Sequence, residues 1–312
     1  MPKLLSRRYF EVVASVVEIS PSEYAAATQA AGYVDHSERG KLALSGEEAV
    51  AFLDSLLSQD IAAIPVGGGA DATLLDHKGH MLAEVRVLRT EHELLLDCER
   101  VALQALFDAL HNGSVGWQAA LHKRTLECGL VSVVGPAAAG APEAQHAHVA
   151  RDGVRYIRTP LGVDLLCAAS DLAAVKAGLD AVAIGEEVYE CVRIEAGIPR
   201  YGVELDATTM PQEAGLHGRA VSFTKGCYVG QETVARLYWK GKPNRYLRRL
   251  RLSDAVAPGT ALRLGEREVG TLASSALSPA LGPIGMAMVR READVGAVLS
   301  AGSASAVVES LP

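Results

Sequence analysis

Hydrophobic and polar positions alternate along this chain in two registers, and the register changes with position. "ATLLDHKGHMLAEVRVLR", from Ala72 to Arg89, places apolar residues at every second position on both sides of the His77–His80 segment. "ELLLDC" follows a second break at Thr90–Glu93. A period of two interrupted by such breaks predicts antiparallel strands joined by hairpins. Upstream, "LSGEEAVAFLDSLLSQD" has Val50, Leu53, Leu56 and Leu57 at helical spacing, with Ser45 and Glu48 as an S-x-x-E capping box. A second helix is expected from about Glu99 to His111, with Leu103, Leu106 and Leu110 inward, stopped by "HNG".

Further along, "ECGLVSVVGP" reads as a strand, 136–150 as a loop, and "VRYIRTPLGVDLLC" as a hairpin through Thr159-Pro160. Ser170 is expected to cap a helix ending near Gly178, and "AVSF" to form a strand before a turn through Gly226 and Gly230 and a helix from Gln231. After Pro243 the helical period disappears. "RYLRRLRL", "TALRLGEREVGTLASSA", "IGMAMVR" and "GAVLSAG" are short strands punctuated by Gly and Pro, the pattern of a small antiparallel barrel. The fold class is therefore α+β closing on a C-terminal β-barrel. A boundary near Lys240 to Asn244 divides residues 1–240, two interleaved α+β subdomains, from 241–312.

Composition narrows the function classes. Hydrophobic residues at 49% and charged residues at 21% exclude a disordered chain. A net charge of −7 argues against general nucleic-acid or membrane affinity. No apolar run approaches the ~20 residues of a membrane helix, and Glu11 and Glu18 interrupt any signal-peptide core in "MPKLLSRRYFEVVASVVEIS". A cytoplasmic protein is expected. Five cysteines, odd in number and without a CxxC pair, do not make a disulfide framework or a self-contained metal site. Cys98, Cys128, Cys167 and Cys191 lie in apolar segments and read as core residues. "GGG" at 67–69 does not open a helix, and no Walker loop is present; "HAH" at 146–148 reads as a solvated loop. Lys240, Lys242, Arg245, Arg248, Arg249 and Arg251 form a basic stripe, either the polar face of an edge strand or a site for an anionic tail or partner.

Two places carry candidate chemistry. From Glu186 to Ala196 the pattern is helical, ended by Gly197 and Pro199, and Val188, Cys191, Val192 and Glu195 share one face. Glu195 thus sits at the negative end of the helix dipole, where a carboxylate needs donors from an Arg or a ligand. In "FTKGCYVGQETVARL", Cys227 lies between two glycines, beside Lys225 and before a helix start. It reads either as a small turn residue or as a thiol that Lys225 and the helix N-terminus hold as thiolate.

"KGCYVGQE" at 225–232 resembles the signature of the YgfZ-type folate-binding proteins of iron–sulfur cluster assembly, relatives of the glycine-cleavage aminomethyltransferase (T-protein). "SERGKLALSGEEAVAFLDSLLSQDI", "VRIEAGIPRYGVELD" and "LSPALGPIGMAMV" resemble segments shared across that superfamily, so the resemblance covers nearly the whole chain. It implies a cloverleaf of subdomains around a central cavity for tetrahydrofolate, with the barrel closing one side. It also implies Glu195 as the ligand of the pterin ring, accompanied by Arg193 and Tyr201. Iron–sulfur enzymes or assembly proteins would be clients, and Cys227, with Lys225, would be the working thiol. The transferase carries two adjacent aspartates after its glycine hairpin, one acting at the folate nitrogen. Here Ala83 and Glu84 stand at those positions, so glycine-cleavage activity is doubtful if Ala83 aligns with the working aspartate. The alternative is a folate-dependent aminomethyl- or methyltransferase, or a demethylase, that uses Glu84.

Overall fold

The computed structural model describes residues 19–312. The residues carrying the signal-peptide argument, through Glu18, lie outside them. Six helices are present among the described residues: α1 (Pro21–Gln29), α2 (Ala49–Leu56), α3 (Leu103–Gly113), α4 (Leu172–Ala177), α5 (Glu186–Glu195) and α6 (Gln231–Lys240). None is long and apolar enough to cross a membrane.

The expected hairpins become a five-stranded antiparallel sheet in the order Gly69–Leu75, Met81–Arg89, Glu93–Cys98, Gly40–Ser45, Ala120–Lys123. Alternation gives it two unlike faces. Leu74, Ala83, Val85, Val87 and Leu96 pack with Phe52 and Leu53 of α2 and Leu106 and Leu110 of α3 in the main core. The other face, with Asp71, Glu84, Arg86 and Asp97, lines a cavity. A second, six-stranded sheet runs Val182–Ala183, Gly32–Asp35, Cys128–Val134, Gly162–Ala168, Val154–Thr159, His148–Arg151, with only the first pair parallel. Its strand Gly32–Asp35 precedes the first sheet in sequence and the others follow it, so the chain leaves one sheet and returns to it.

The region rich in short strands is a closed antiparallel barrel of six: Arg245–Leu252, Gly282–Arg290, Arg267–Ser278, Ala261–Leu264, Val298–Ala301 and Ala304–Glu309, the last pairing back to the first. Leu250, Leu262, Leu272 and Val308 fill its interior. The α+β architecture ending in an antiparallel barrel is thus as expected from the sequence.

Where sequence and structure part, longer-range pairing has overridden a local signal. Ser45 stays at the end of its strand and bonds His122 Nε2 at 2.8 Å, while Glu48 accepts from the Gln118 backbone N–H at 2.7 Å. The capping box therefore does not form, and α2 begins at Ala49 without a side-chain cap. Ser170 likewise bonds Asp171, which takes the N-cap position of α4. "AVSF" is not a strand. It is held through Ser58, which accepts from Ser222 N–H at 2.8 Å and donates its hydroxyl to Ala220 O at 2.6 Å.

Helix α5 joins the layers. Glu195, in its last turn, accepts hydrogen bonds from Tyr24 Oη of α1 at 2.9 Å and from Ser278 Oγ of the barrel at 2.5 Å. Its backbone carbonyl accepts from Arg249 Nη1 at 2.9 Å. These donors answer the unfavourable placement of a carboxylate at a helix C-terminus. Burial and the bond to Glu195 push the Tyr24 hydroxyl up to about 12, so it donates at any ordinary pH. Tyr24→Phe removes one donor from a charged acceptor and is expected to lower stability by about 1.5–3 kcal/mol in urea unfolding. An unchanged midpoint would show that the bond does not hold α1 to α5.

Candidate functional site

A cavity of about 150 Å³ is lined from both sheets and from α5. Successive strand residues point to opposite faces, and the strand Met81–Arg89 uses that rule to sort its side chains. Ala83 is fully buried in the main core, whereas Glu84 and Arg86 line the cavity. Alanine at position 83 therefore does not strip the cavity of a carboxylate, because Glu84 occupies the face that looks inward.

Five arginines and five carboxylates line this cavity: Arg39, Arg86, Arg193, Arg200 and Arg219 against Asp71, Glu84, Asp97, Glu99 and Asp164. Arg86 bridges the two sheets, reaching Asp97 at 2.5 Å and Asp164 at 2.6 Å. Arg39 bonds Asp97 at 2.8 Å and also Glu99. Arg200 spans Glu186 at 2.6 Å, Glu190 at 2.8 Å and Glu99 at 3.3 Å. Arg193, 2% exposed, meets Glu190 at 2.5 Å and Glu204 at 3.0 Å, and Glu204 also accepts from Ser274 of the barrel. At the opposite wall Arg219 pairs with Asp71 and, at 2.9 Å, with Glu84. Charges removed from water at this density persist only when paired and hydrogen-bonded.

The pairing separates the carboxylates. Burial pushes Glu84 up to about 7, with Arg219 opposing and Asp71 adding to the rise. Burial also works against ionisation of Asp71, but His146 and Arg219 outweigh it and hold that carboxyl at about 2. Glu186 is brought to about 2 in the same way by His36 and Arg200. Glu84 is thus the carboxyl of the cavity wall poised to exchange a proton near neutrality. Apolar surface from Val134, Leu161, Ile198 and Pro199 and the ring of Tyr189 complete the lining. Arg86 Nε and His146 Nδ1 are buried there without partners.

The other residues singled out in the sequence are distributed differently. Arg193 and Tyr201 line the cavity, with the Tyr201 hydroxyl committed to Met81 O at 2.9 Å. Glu195 is not among the lining residues, because it faces α1 and the barrel. Lys225, 2% exposed along its side chain, donates to the carbonyls of Asp54, Leu57 (3.0 Å) and Gln59 (2.8 Å) at the C-terminal end of α2, and pairs with Asp54 at 3.1 Å. Its ammonium is directed away from the role of thiolate partner. Cys227 is exposed, and the other four cysteines are buried or half-buried as expected of core residues. The turn after Cys227 requires glycine: Gly230 has φ of +82°, and a Cβ there would meet Asp76 O of the hairpin turn at 2.5 Å. In the basic stripe, Arg245 pairs with Glu213, Arg248 with Asp294, and Arg249 and Arg251 with Glu309, and Lys240, Lys242 and Arg251 are exposed.

The sequence does not mark Asp71 or Arg219, and it misplaces His146. Asp71 shares a strand face with Thr73 and stands opposite Arg86 of the neighbouring strand. "HAH" is not a solvated loop, since His146 is 6% and His148 5% exposed. Among the described residues no group of His, Cys, Asp and Glu has the arrangement of a metal site.

Residues 5–159 match the family model for the GCVT N-terminal domain. The chain is 30% identical to an aminomethyltransferase of Streptomyces avermitilis over 86% of its length and 80% of that protein. It is 31% identical to an aminomethyltransferase of Saccharopolyspora erythraea over 87% of its length and 82% of that protein. Its fold matches the crystal structure of the glycine cleavage system aminomethyltransferase T from Bartonella henselae, with a TM-score of 0.84, 22% identity and coverage of 99% of this chain and 96% of that one.

The depressed carboxyls set an acid limit on the fold. Asp71 and Glu186 titrate from 3.8 and 4.5 in an unfolded chain to about 2 when folded. Their stabilisation is fully present above those unfolded values and is lost as pH falls through about 2. Urea midpoints are expected to drop steeply across that window, and Asp71→Asn is expected to flatten part of the drop.

Proposed function

The chain belongs to the aminomethyltransferase family, and we propose from that premise that it is a tetrahydrofolate-dependent one-carbon transferase whose reacting carboxyl is Glu84. The observation that carries this reading is Glu84 itself, on the cavity wall, paired with Arg219 and raised to about 7 by burial. The cavity suits the pterin end of a folate. It offers flat apolar surface beside donors and acceptors, and its arginines are already matched by carboxylates, so a neutral heterocycle enters without leaving a charge unpaired. Arg193 and Tyr201 would act there as wall, by packing and by holding the backbone of Met81. The buried, unpartnered His146 Nδ1 and Arg86 Nε are free to meet polar ring atoms.

A folate held there would supply an amine nucleophile for the one-carbon group of a donor, with the new C–N bond forming as the donor leaves with its bonding electron pair. Ionised Glu84 would accept the proton that this nitrogen sheds. Residues 1–240 would carry this chemistry and 241–312, the barrel, would brace it through Ser274 and Ser278. Glu84→Gln is expected to keep tetrahydrofolate binding in calorimetry while losing transfer from an aminomethyl or methyl donor by ~10²–10⁴-fold. Absence of folate binding by the unaltered protein overturns the reading.

One observation favours a second role, that of a YgfZ-type accessory factor for iron–sulfur proteins. Cys227, in the "KGCYVGQE" turn, is the exposed member of the five cysteines, and Lys225 is built into the turn that presents it. A single thiol cannot hold a cluster by itself, so client proteins would supply the remaining ligands. Cys227→Ala is expected to retain folate affinity and to fail to restore iron–sulfur enzyme activity in a deletion strain. Full restoration removes Cys227 from the role.

A further inference from the structure

At one wall of the cavity, four groups from separate parts of the chain are joined by three close charge contacts. Glu84 comes from the strand Met81–Arg89 and Asp71 from its neighbour Gly69–Leu75. Arg219 comes from the segment before the Cys227 turn, and His146 lies just before the strand His148–Arg151, which the sequence pattern places within a loop over 136–150. Arg219 reaches both carboxylates, and His146 Nε2 lies 3.2 Å from Asp71 Oδ2, on the atom that Arg219 also bonds. Asp71 is therefore claimed from two sides. Glu84 has Arg219 as its bonded partner, with Arg39 and Glu99 the next charges in its field.

His146 holds a left-handed φ of +61°, a conformation in which Asn, Asp and His are the enriched residues after glycine. It is buried to 6% exposure, its Nδ1 has no partner, and Gln145 Nε2 lies 3.2 Å from its Nε2.

We propose that His146 and Asp71 form a dyad that governs, through the shared Arg219, whether Glu84 carries its proton. When His146 is protonated, it satisfies Asp71, and Arg219 is released to hold Glu84 ionised. When His146 is neutral, Arg219 must serve two carboxylates, and a proton on Glu84 relieves the excess negative charge. With one proton bound, the four groups sum to neutrality whether that proton sits on His146 or on Glu84. The dyad thus stores the proton that Glu84 gives up, making His146 and Asp71 positioning residues of the reaction and not groups that touch the reacting atoms.

The catalytic meaning rests on the transferase reading above, but the coupling itself does not. It is tested by ¹³C NMR titration of the Glu84 carboxyl in the full chain. Asp71→Asn removes a neighbouring negative charge and is expected to lower the Glu84 midpoint by roughly one pH unit. His146→Asn suits the left-handed backbone and cannot titrate. It is expected to raise the midpoint, because Asp71 then has Arg219 as its charged partner and draws it from Glu84. Unchanged Glu84 curves in both folded variants overturn the proposal. In a transfer assay the limb of the kcat/KM profile assigned to Glu84 is expected to move with the NMR midpoint in each variant. Coupling seen by NMR in a protein that transfers nothing keeps the dyad and removes the transferase reading.

Discussion

Pairing of buried arginines with carboxylates is the constraint on which the rest of this molecule turns. Arg86 bridges one strand of each sheet, Arg193 links α5 to Glu204, and Arg200 links Glu186 of α5 to Glu99, with Ser274 extending the chain of contacts into the barrel. The net free energy of each pair is modest, because desolvation consumes much of the attraction. Breaking such a pair by removing one partner costs more, about 3–5 kcal/mol, because a buried charge is then left uncompensated.

The same constraint explains why two glutamates of similar appearance in the sequence have separate duties. Glu195, at the end of α5, is held by Tyr24 and Ser278 and fastens three layers. Glu84 sits in a cavity where burial outweighs its arginine partner, and its carboxyl is raised towards neutrality. Chemistry follows from that incomplete compensation, because a carboxyl held strongly ionised cannot exchange a proton near neutral pH. Similarity to aminomethyltransferases over most of the chain places it in that family.

Much of the fold was legible because period-two patterning and turn residues are local signals. The hairpins around His77–His80, the end of α5 at Gly197, the start of α6 at Gln231 and the barrel all follow from them. What was not legible depended on partners distant in sequence. Ser45 has the spacing of a helix cap, yet His122 takes it for the sheet. Alternation separates Ala83 from Glu84, but only the packing of α2 and α3 decides which of them faces the core. "HAH" carries no periodicity at all, and its path to Asp71 is set by the strand pairing of His148 and by contacts of residues 146–148 with Gly67 and Arg158. Lys225 stands two residues from Cys227 in sequence, while three carbonyls at the end of α2 decide where its ammonium goes.

The matched charges of the cavity wall have one more consequence, which concerns discrimination. Each arginine there already has a carboxylate at hand, so the field of one ion is cancelled by the next within a few ångströms. The balance leans to the acidic side, because several arginines have more than one carboxylate partner. A small anion such as phosphate or chloride therefore meets no arginine that lacks a carboxylate, and the pocket offers it almost nothing.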